Sequence, residues 1–284
     1  MIYLLIVSFI WAFSFGLIKV NLSGIDANLV SFIRLSFSFL SFLPFLRIKG
    51  LNLRISGLLF LTGIIQFGLM YIFYLNSFQF LKAYEVALFT ILTPLYVTLF
   101  NDIFNKKFNS LFFVTSLLAI IGAGIILYST FNYSEILSGF ILVQLSNICF
   151  AFGQIFYVRI IKSNNNLKDH QVFPIIYLGA AAITFLITLS SGSLHFKSIN
   201  CEQWLTLVYL GIVASGLSFF LWNYGAKKTN TGILAVFNNL KTPLAILVSV
   251  LFFNENADLV KLILGLFVLI TAIIINQKFS EKSI

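Results

Sequence analysis

The stretch Ile233-Leu-Ala-Val-Phe-Asn-Asn-Leu-Lys-Thr-Pro-Leu-Ala-Ile-Leu-Val-Ser-Val-Leu-Phe-Phe253 decides how the chain is read. It matches the roughly 20 apolar residues needed to cross a bilayer core, yet Lys241 stands near its middle. A charge at that depth costs at least about 3 kcal/mol, so it requires a partner or a wet cavity. Asn238, Asn239 and Thr242 lie within one helical turn of it. Pro243 has no N–H to give the carbonyl of Asn239, four residues back, and opens the helix there. A cation, two amides and a freed carbonyl at one depth form a polar site suited to an anion. The competing reading is a lysine whose stem crosses the apolar face while its amine reaches an interface.

Outward from that stretch, the whole chain is built for lipid. Of 284 residues, 60% are hydrophobic and 10% charged, against about a quarter charged in soluble domains. The mean hydropathy is +1.00. A formal charge of +9 does not imply nucleic acid, because the basic residues sit in short loops between apolar spans, where topology signals belong. Cys149 and Cys201, His170 and His195 form no ligand spacing, so neither a metal nor a cofactor is expected. The first apolar segment lacks a basic leader and a small-residue cleavage site and reads as a retained span.

Ten segments are long enough to cross: 2–21, 28–46, 56–76, 83–101, 111–129, 136–160, 173–190, 203–224, 232–253 and 259–276. They must be helices, since lipid satisfies no bare backbone groups and the spans are too long for barrel strands. Of the 18 basic residues, twelve lie in the loops after the second, fourth, sixth and eighth spans and in the tail. Four (Lys19, Lys82, Lys197 and Lys261) lie in the alternate loops, and Arg34 and Lys241 lie within spans. The asymmetry puts both termini in the cytoplasm.

Short strings recur in order. Thr93-Pro94-Leu95 returns as Thr242-Pro243-Leu244, Gly63 and Gly68 as Gly211 and Gly216, and Trp11-Ala12-Phe13 as Phe150-Ala151-Phe152. The reading is an all-α membrane protein of two inverted five-helix repeats, 1–130 and 135–276, with a cytoplasmic tail at 277–284. Five is odd, so the second half enters the membrane from the other side. Inverted repeats place substrate at their interface near the bilayer midplane.

Two five-helix halves, each with an aromatic-Ala-Phe first helix and a Thr-Pro-Leu fourth helix, resemble the EamA-like branch of the drug/metabolite transporter superfamily. Within it, five strings resemble the biotin-transporting members of the carboxylate/amino acid/amine group. They are Phe42-Leu-Pro-Phe-Leu-Arg47, Leu88-Phe-Thr-Ile-Leu-Thr-Pro-Leu-Tyr96, Ile121-Gly-Ala-Gly-Ile-Ile126, Val143-Gln-Leu-Ser-Asn-Ile148 and Trp222-Asn-Tyr-Gly-Ala226. The resemblance implies a ten-helix fold in the bacterial inner membrane. It also implies a central cavity and secondary transport of a small molecule, either import of biotin or a similar small carboxylate or export of amino acids or other amphipathic metabolites. One departure stands out. The family often carries a Gly-Glu pair after each Thr-Pro helix; Glu255 fills that place in the second half, but Lys106 occupies it in the first.

For a substrate with a carboxylate, a ureido head and an apolar body, the candidate contacts are Lys241, Asn238 and Asn239, with Arg34 as a second cation. Arg34 is free to snorkel, to bond freed carbonyls or to fork onto a carboxylate. Gln144 and Asn147, three apart and so on one helix face, offer amides, as does Asn223. Trp11, Tyr71, Tyr74 and Trp222 are candidate walls, although each is equally a packing residue. Pro94 and Pro243 are either hinges or static kinks. Lys82 and Glu85, three apart, suit an interfacial ion pair. No nucleophile with its base lies within the spans, which argues against an enzyme.

Overall fold

The computed structural model describes residues 2–47, 52–106, 133–164, 166–196, 199–229 and 259–280, with isolated positions between 114 and 121 and between 237 and 252. Lys241, Asn239 and Pro243, like most of the expected spans 111–129 and 232–253, lie outside the described residues.

Eight long helices are described: α1 (Ile2–Asn21), α2 (Ala27–Phe42), α3 (Leu53–Ser77), α4 (Ala83–Asn105), α5 (Tyr133–Lys162), α6 (Asp169–Ser190), α7 (Cys201–Lys227) and α8 (Leu259–Ser280). Seven of them, α1 to α7, are long and apolar enough to cross a membrane. Among the described residues there is no strand. The expected span 2–21 coincides with α1; α2 stops short of its expected 28–46, while α3, α4, α5, α6 and α7 run a few residues beyond theirs, and polar caps fix several helix starts. Asp26 accepts from the backbone N–H groups of Asn28 and Leu29 at the start of α2. Asn52 accepts from Arg54 N at the start of α3. Asn200 and Gln203 form a reciprocal capping box on α7. Such caps satisfy donors that a helix start leaves bare.

On α1 the buried face is Leu4, Val7, Trp11, Phe15 and Ile18, while Leu5, Ile6, Phe9 and Phe13 are exposed. Apolar residues on all sides are the mark of a helix that meets protein on one side and lipid on the other. Glycine sets the closest crossing. A Cβ on Gly63 would stand 1.8 Å from the Ile176 carbonyl oxygen, and one on Gly179 would stand 2.2 Å from that of Phe60. Backbones of α3 and α6 therefore touch, as small residues allow in membranes.

Three helices depart from α geometry. In α4 a 3-10 turn, Thr90–Leu92, precedes Pro94. In α3 and α7 one stretch each is π-helical, Ile64–Leu69 and Leu210–Leu217. Such bulges free carbonyls and cluster at functional sites.

The ends of the helices pair consistently. At one end Arg159 Nη1 donates to Asn105 Oδ1 (3.2 Å). There too the Phe45 ring meets His170 and Tyr3 meets Tyr224. At the other end Lys19 Nζ donates to the carbonyls of Phe78 (2.6 Å) and Leu81 (3.0 Å). Asn21 Nδ2 there donates to Thr206 Oγ1, and Thr188 Oγ1 donates to Asn28 O. Helices α1 to α4 alternate in direction, while α4 and α5 run parallel.

Candidate functional site

Arg34 is the eighth residue of α2, about 10 Å along the axis from Ala27 at 1.5 Å per residue, and is only 2% exposed. Its Nη2 donates to Tyr71 Oη (2.8 Å) and to Ser215 Oγ (3.1 Å), and its Nε donates to the same Ser215 Oγ (3.3 Å). The guanidinium also lies 4.6 Å from the centre of the Tyr71 ring. Nη1 has no partner among the described residues. Among the described residues no carboxylate pairs with it, the Lys227–Asp169 pair being elsewhere.

The π-helical turn of α7 builds this arrangement. The Ser215 hydroxyl donates back to the carbonyl of Leu210, five residues earlier (2.6 Å). Its single proton is thereby used, so Ser215 Oγ can only accept from Arg34 and from the Tyr71 hydroxyl, 2.7 Å away. Other carbonyls of the same turn take donors from three further helices. Trp11 Nε1 donates to Ala214 O (2.8 Å), Ser38 Oγ to Gly211 O (2.8 Å) and Tyr177 Oη to Gly216 O (2.5 Å). The result is a fixed cation, held by neutral groups, with one pair of N–H bonds unspent. That costs several kcal/mol in an apolar interior unless an anion arrives.

Beside the guanidinium lies a cavity of about 70 Å³ whose lining includes Trp11, Ser14, Phe15, Arg34, Met70, Tyr71, Tyr74, Thr90, Thr93, Ser146, Asn147, Phe150 and Phe219. Its floor is an aromatic cluster. The Trp11 ring is 5.1 Å from Phe219 and 6.2 Å from Phe150, and Phe15 meets Tyr74 edge-on at 5.9 Å. The Pro94 kink contributes polar atoms to the lining through Thr90 and Thr93. Pro94 has no N–H for Thr90 O, and the Thr93 hydroxyl donates to it instead (2.6 Å). Phe89 O, which opens that turn, also accepts from Asn147 Nδ2 (3.0 Å). Asn147 Nδ2 donates to Gln144 Oε1 as well (3.1 Å), and Tyr96 Oη donates to that same oxygen (3.2 Å).

The structure thus brings together five of the residues singled out from sequence: Trp11, Arg34, Tyr71, Tyr74 and Asn147. Others stand behind the cavity lining and touch it: Gln144 accepts from Asn147 (3.1 Å), and the Trp222 ring lies 4.9 Å from that of Trp11. Gln144 braces the α4 kink from behind Asn147. Trp222 and Asn223 are wholly buried and belong to a seam between helices. There Asn223 and Gln66 exchange two amide hydrogen bonds (3.0 and 3.2 Å), and Trp222 Nε1 donates to Gln154 Oε1 (3.3 Å). Asn238 is fully buried, and both its amide atoms lack partners among the described residues. Glu85 accepts from the backbone N–H of Lys82 (2.9 Å), capping α4. The glycines Gly63, Gly68 and Gly211 mark close helix approaches.

Sequence reasoning missed Ser215 and the hydroxyl rim of Ser14, Thr90, Thr93 and Ser146. The Gly211–Gly216 interval marks the π turn, but a serine between glycines carries no signal of its own. Phe150 was visible as part of the repeated aromatic-Ala-Phe string.

A bundle of apolar helices around a small cavity and a buried cation that no described carboxylate neutralises is the architecture of an integral membrane protein that handles a polar solute. The sequence profile of the EamA-like transporter family matches residues 1–128 and 137–277, and the chain belongs to that family. It is 39% identical over 277 residues to a "Probable biotin transporter" of Pseudomonas aeruginosa, covering 97% of this chain and 96% of that one. It is 36% identical over 278 residues to the "Biotin transporter" of Escherichia coli K12, covering 97% of this chain and 92% of that one. A solved crystal structure superposes with a TM-score of 0.69 at 16% identity, over 96% of this chain and 95% of its own. That last likeness speaks for the fold alone.

Proposed function

We propose that this protein is a secondary transporter importing biotin, or a similar small carboxylate, across the bacterial inner membrane by alternating access. The observation that carries the proposal is Arg34, buried, held by Tyr71 and Ser215, and with Nη1 beside the cavity and unpartnered among the described residues. A carboxylate accepting from Nη1 would complete a charge-assisted pair that the protein leaves open. The aromatic faces of Trp11, Phe219 and Tyr74 suit an apolar bicyclic body, and the lining hydroxyls suit a ureido head. The names of the relatives point to the same solute.

The cavity, about 70 Å³, is far below the about 300–1,000 Å³ typical of sites that enclose drug-sized ligands. Substrate therefore enters only when helices part, which is what alternating access requires. Lys241, with Asn238 and Asn239, is proposed as a second cationic contact on the same path. Asn238 itself is fully buried. Pro94 is proposed as a hinge, with Pro243 as its counterpart.

The ten-span architecture with two inverted halves is part of this proposal. Asn105 and Arg159 meet at one end, whereas Leu81 packs where a Cβ of Gly139 would go, at the other. That parallel pair, α4 and α5, supports the expected span 111–129 between them. Helices α1 and α5, and the π-bearing α3 and α7, run in opposite directions, as the first and third helices of two inverted halves should. The family profile matches once in each half. Cytoplasmic termini follow from the charge asymmetry. No catalytic role is proposed, and the solute leaves unchanged.

The test is uptake of labelled biotin by proteoliposomes. Accumulation above empty vesicles, reduced in Arg34→Met, is expected. Uptake no greater than in empty vesicles, with efflux of amino acids instead, would replace import by export.

A further inference from the structure

At the end of the bundle marked by Lys227, a second concavity of about 530 Å³ opens between the start of α1, the start of α6 and the end of α7. Tyr3, Lys168, His170, Tyr224, Lys227 and Lys228 line it. It is separate from the Arg34 cavity and shares no lining residue with it.

Its charges are unequal. Lys227 Nζ is paired with Asp169, which also accepts from the Tyr157 hydroxyl (2.6 Å), so the acid is fully occupied. Lys168 and Lys228 remain exposed on the rim. The Lys228 ammonium sits 4.1 Å from the centre of the Tyr224 ring, and that of Lys227 sits 5.5 Å from it. The Tyr224 hydroxyl holds the Lys228 amine above the usual lysine range, so it is charged at every physiological pH. Three lysines thus face one committed carboxylate at a depth where tyrosines mark the boundary of the membrane.

We propose that this concavity binds the phosphate-bearing headgroup of an anionic membrane lipid, with Lys168 and Lys228 as its principal cationic contacts. Basic pockets between helices at a membrane surface take such headgroups. The apolar surroundings favour a lipid over a free phosphate. Leu167, Phe220 and Leu221 line the same concavity, and beside Tyr3 the α1 residues Ile2 (65% exposed) and Ile6 (44%) present an uncovered apolar strip along which an acyl chain can lie. Inorganic phosphate has no use for that strip. Because the floor joins α6 and α7 through Lys227–Asp169, a bound headgroup would stabilise the joint between these two helices.

The test is thermal unfolding of the whole chain in neutral detergent, titrated separately with phosphatidylglycerol, phosphatidylcholine and inorganic phosphate. Wild type is expected to gain several degrees with phosphatidylglycerol only. The Lys168→Gln/Lys228→Gln protein should unfold at the wild-type temperature without lipid, both side chains being exposed, and should bind phosphatidylglycerol roughly 30-fold more weakly, as loss of two interfacial lysines implies. Equal shifts with phosphatidylcholine, an unchanged response in the double variant, or an equal shift with inorganic phosphate would each overturn the proposal. Labelled biotin uptake by the double variant separates this site from the central one, because it should persist whether or not the lipid binds.

Discussion

Replacing Arg34 separates binding from folding, because the structure gives each a different sign. The wild-type guanidinium spends Nε and Nη2 on Ser215 and Tyr71 and keeps Nη1 unpaired among the described residues. Arg34→Lys keeps the charge but offers a single nitrogen in place of a fork. It can face Tyr71 or a carboxylate, not both in the original geometry. The loss of one hydrogen bond to a charged group is worth about 1.5–3 kcal/mol. At 1.4 kcal/mol per factor of ten, KM for the carboxylate should rise by roughly 10- to 100-fold. Arg34→Met removes the charge altogether. Binding should fall further, yet the fold should not weaken in proportion, since replacing a buried unneutralised charge with an apolar side chain relieves its desolvation cost. The assay is initial-rate uptake of labelled biotin in proteoliposomes, paired with thermal unfolding of the same preparations. Wild-type KM in both variants would refute the reasoning. So would a collapse of stability in Arg34→Met that accounts for its lost uptake.

Other consequences are open to the same two assays. Ser215→Ala removes the acceptor shared by Arg34 and Tyr71 and should raise KM about tenfold, since a freed guanidinium must be reordered at a cost near 1.4 kcal/mol. Asn147→Ala removes the amide that donates to both Phe89 O and Gln144 Oε1 and should lower unfolding stability by about 1–3 kcal/mol. Gly63→Ala places a Cβ 1.8 Å from the Ile176 carbonyl oxygen. Over-packing costs about 1–3 kcal/mol where side chains can yield, and backbone yields less, so a large fall in melting temperature is expected. Gln66→Ala orphans both polar atoms of the Asn223 amide and should destabilise more than Gln66→Leu/Asn223→Leu, which removes both partners.

The helices were legible because lipid makes one demand, a long apolar run, and α1 or α7 states it residue by residue. Pro94 announced the break in α4, since a missing N–H is a property of the residue itself. The π segments were not legible. Leu210–Leu217 is ordinary apolar sequence, and its geometry is held by donors from Trp11, Ser38 and Tyr177, which only folding brings to it. For the same reason Arg34 was left undecided between snorkelling, carbonyl bonding and anion binding. Its fate depends on Ser215 and Tyr71, 181 and 37 residues away in the chain. Amides proved hardest to place. Asn147 and Asn223 look alike in sequence, yet one braces a kinked helix at the cavity wall and the other closes a seam.

The central claim is that the unspent guanidinium nitrogen of Arg34 selects a carboxylate. It is tested most directly by competing labelled biotin uptake with unlabelled biotin and with biotinamide, in which a neutral carboxamide replaces the carboxylate. The account predicts that biotin competes at least tenfold better than biotinamide in wild type, and that the preference disappears in Arg34→Met. Equal competition by the two compounds in wild type, or an undiminished preference in Arg34→Met, would contradict it.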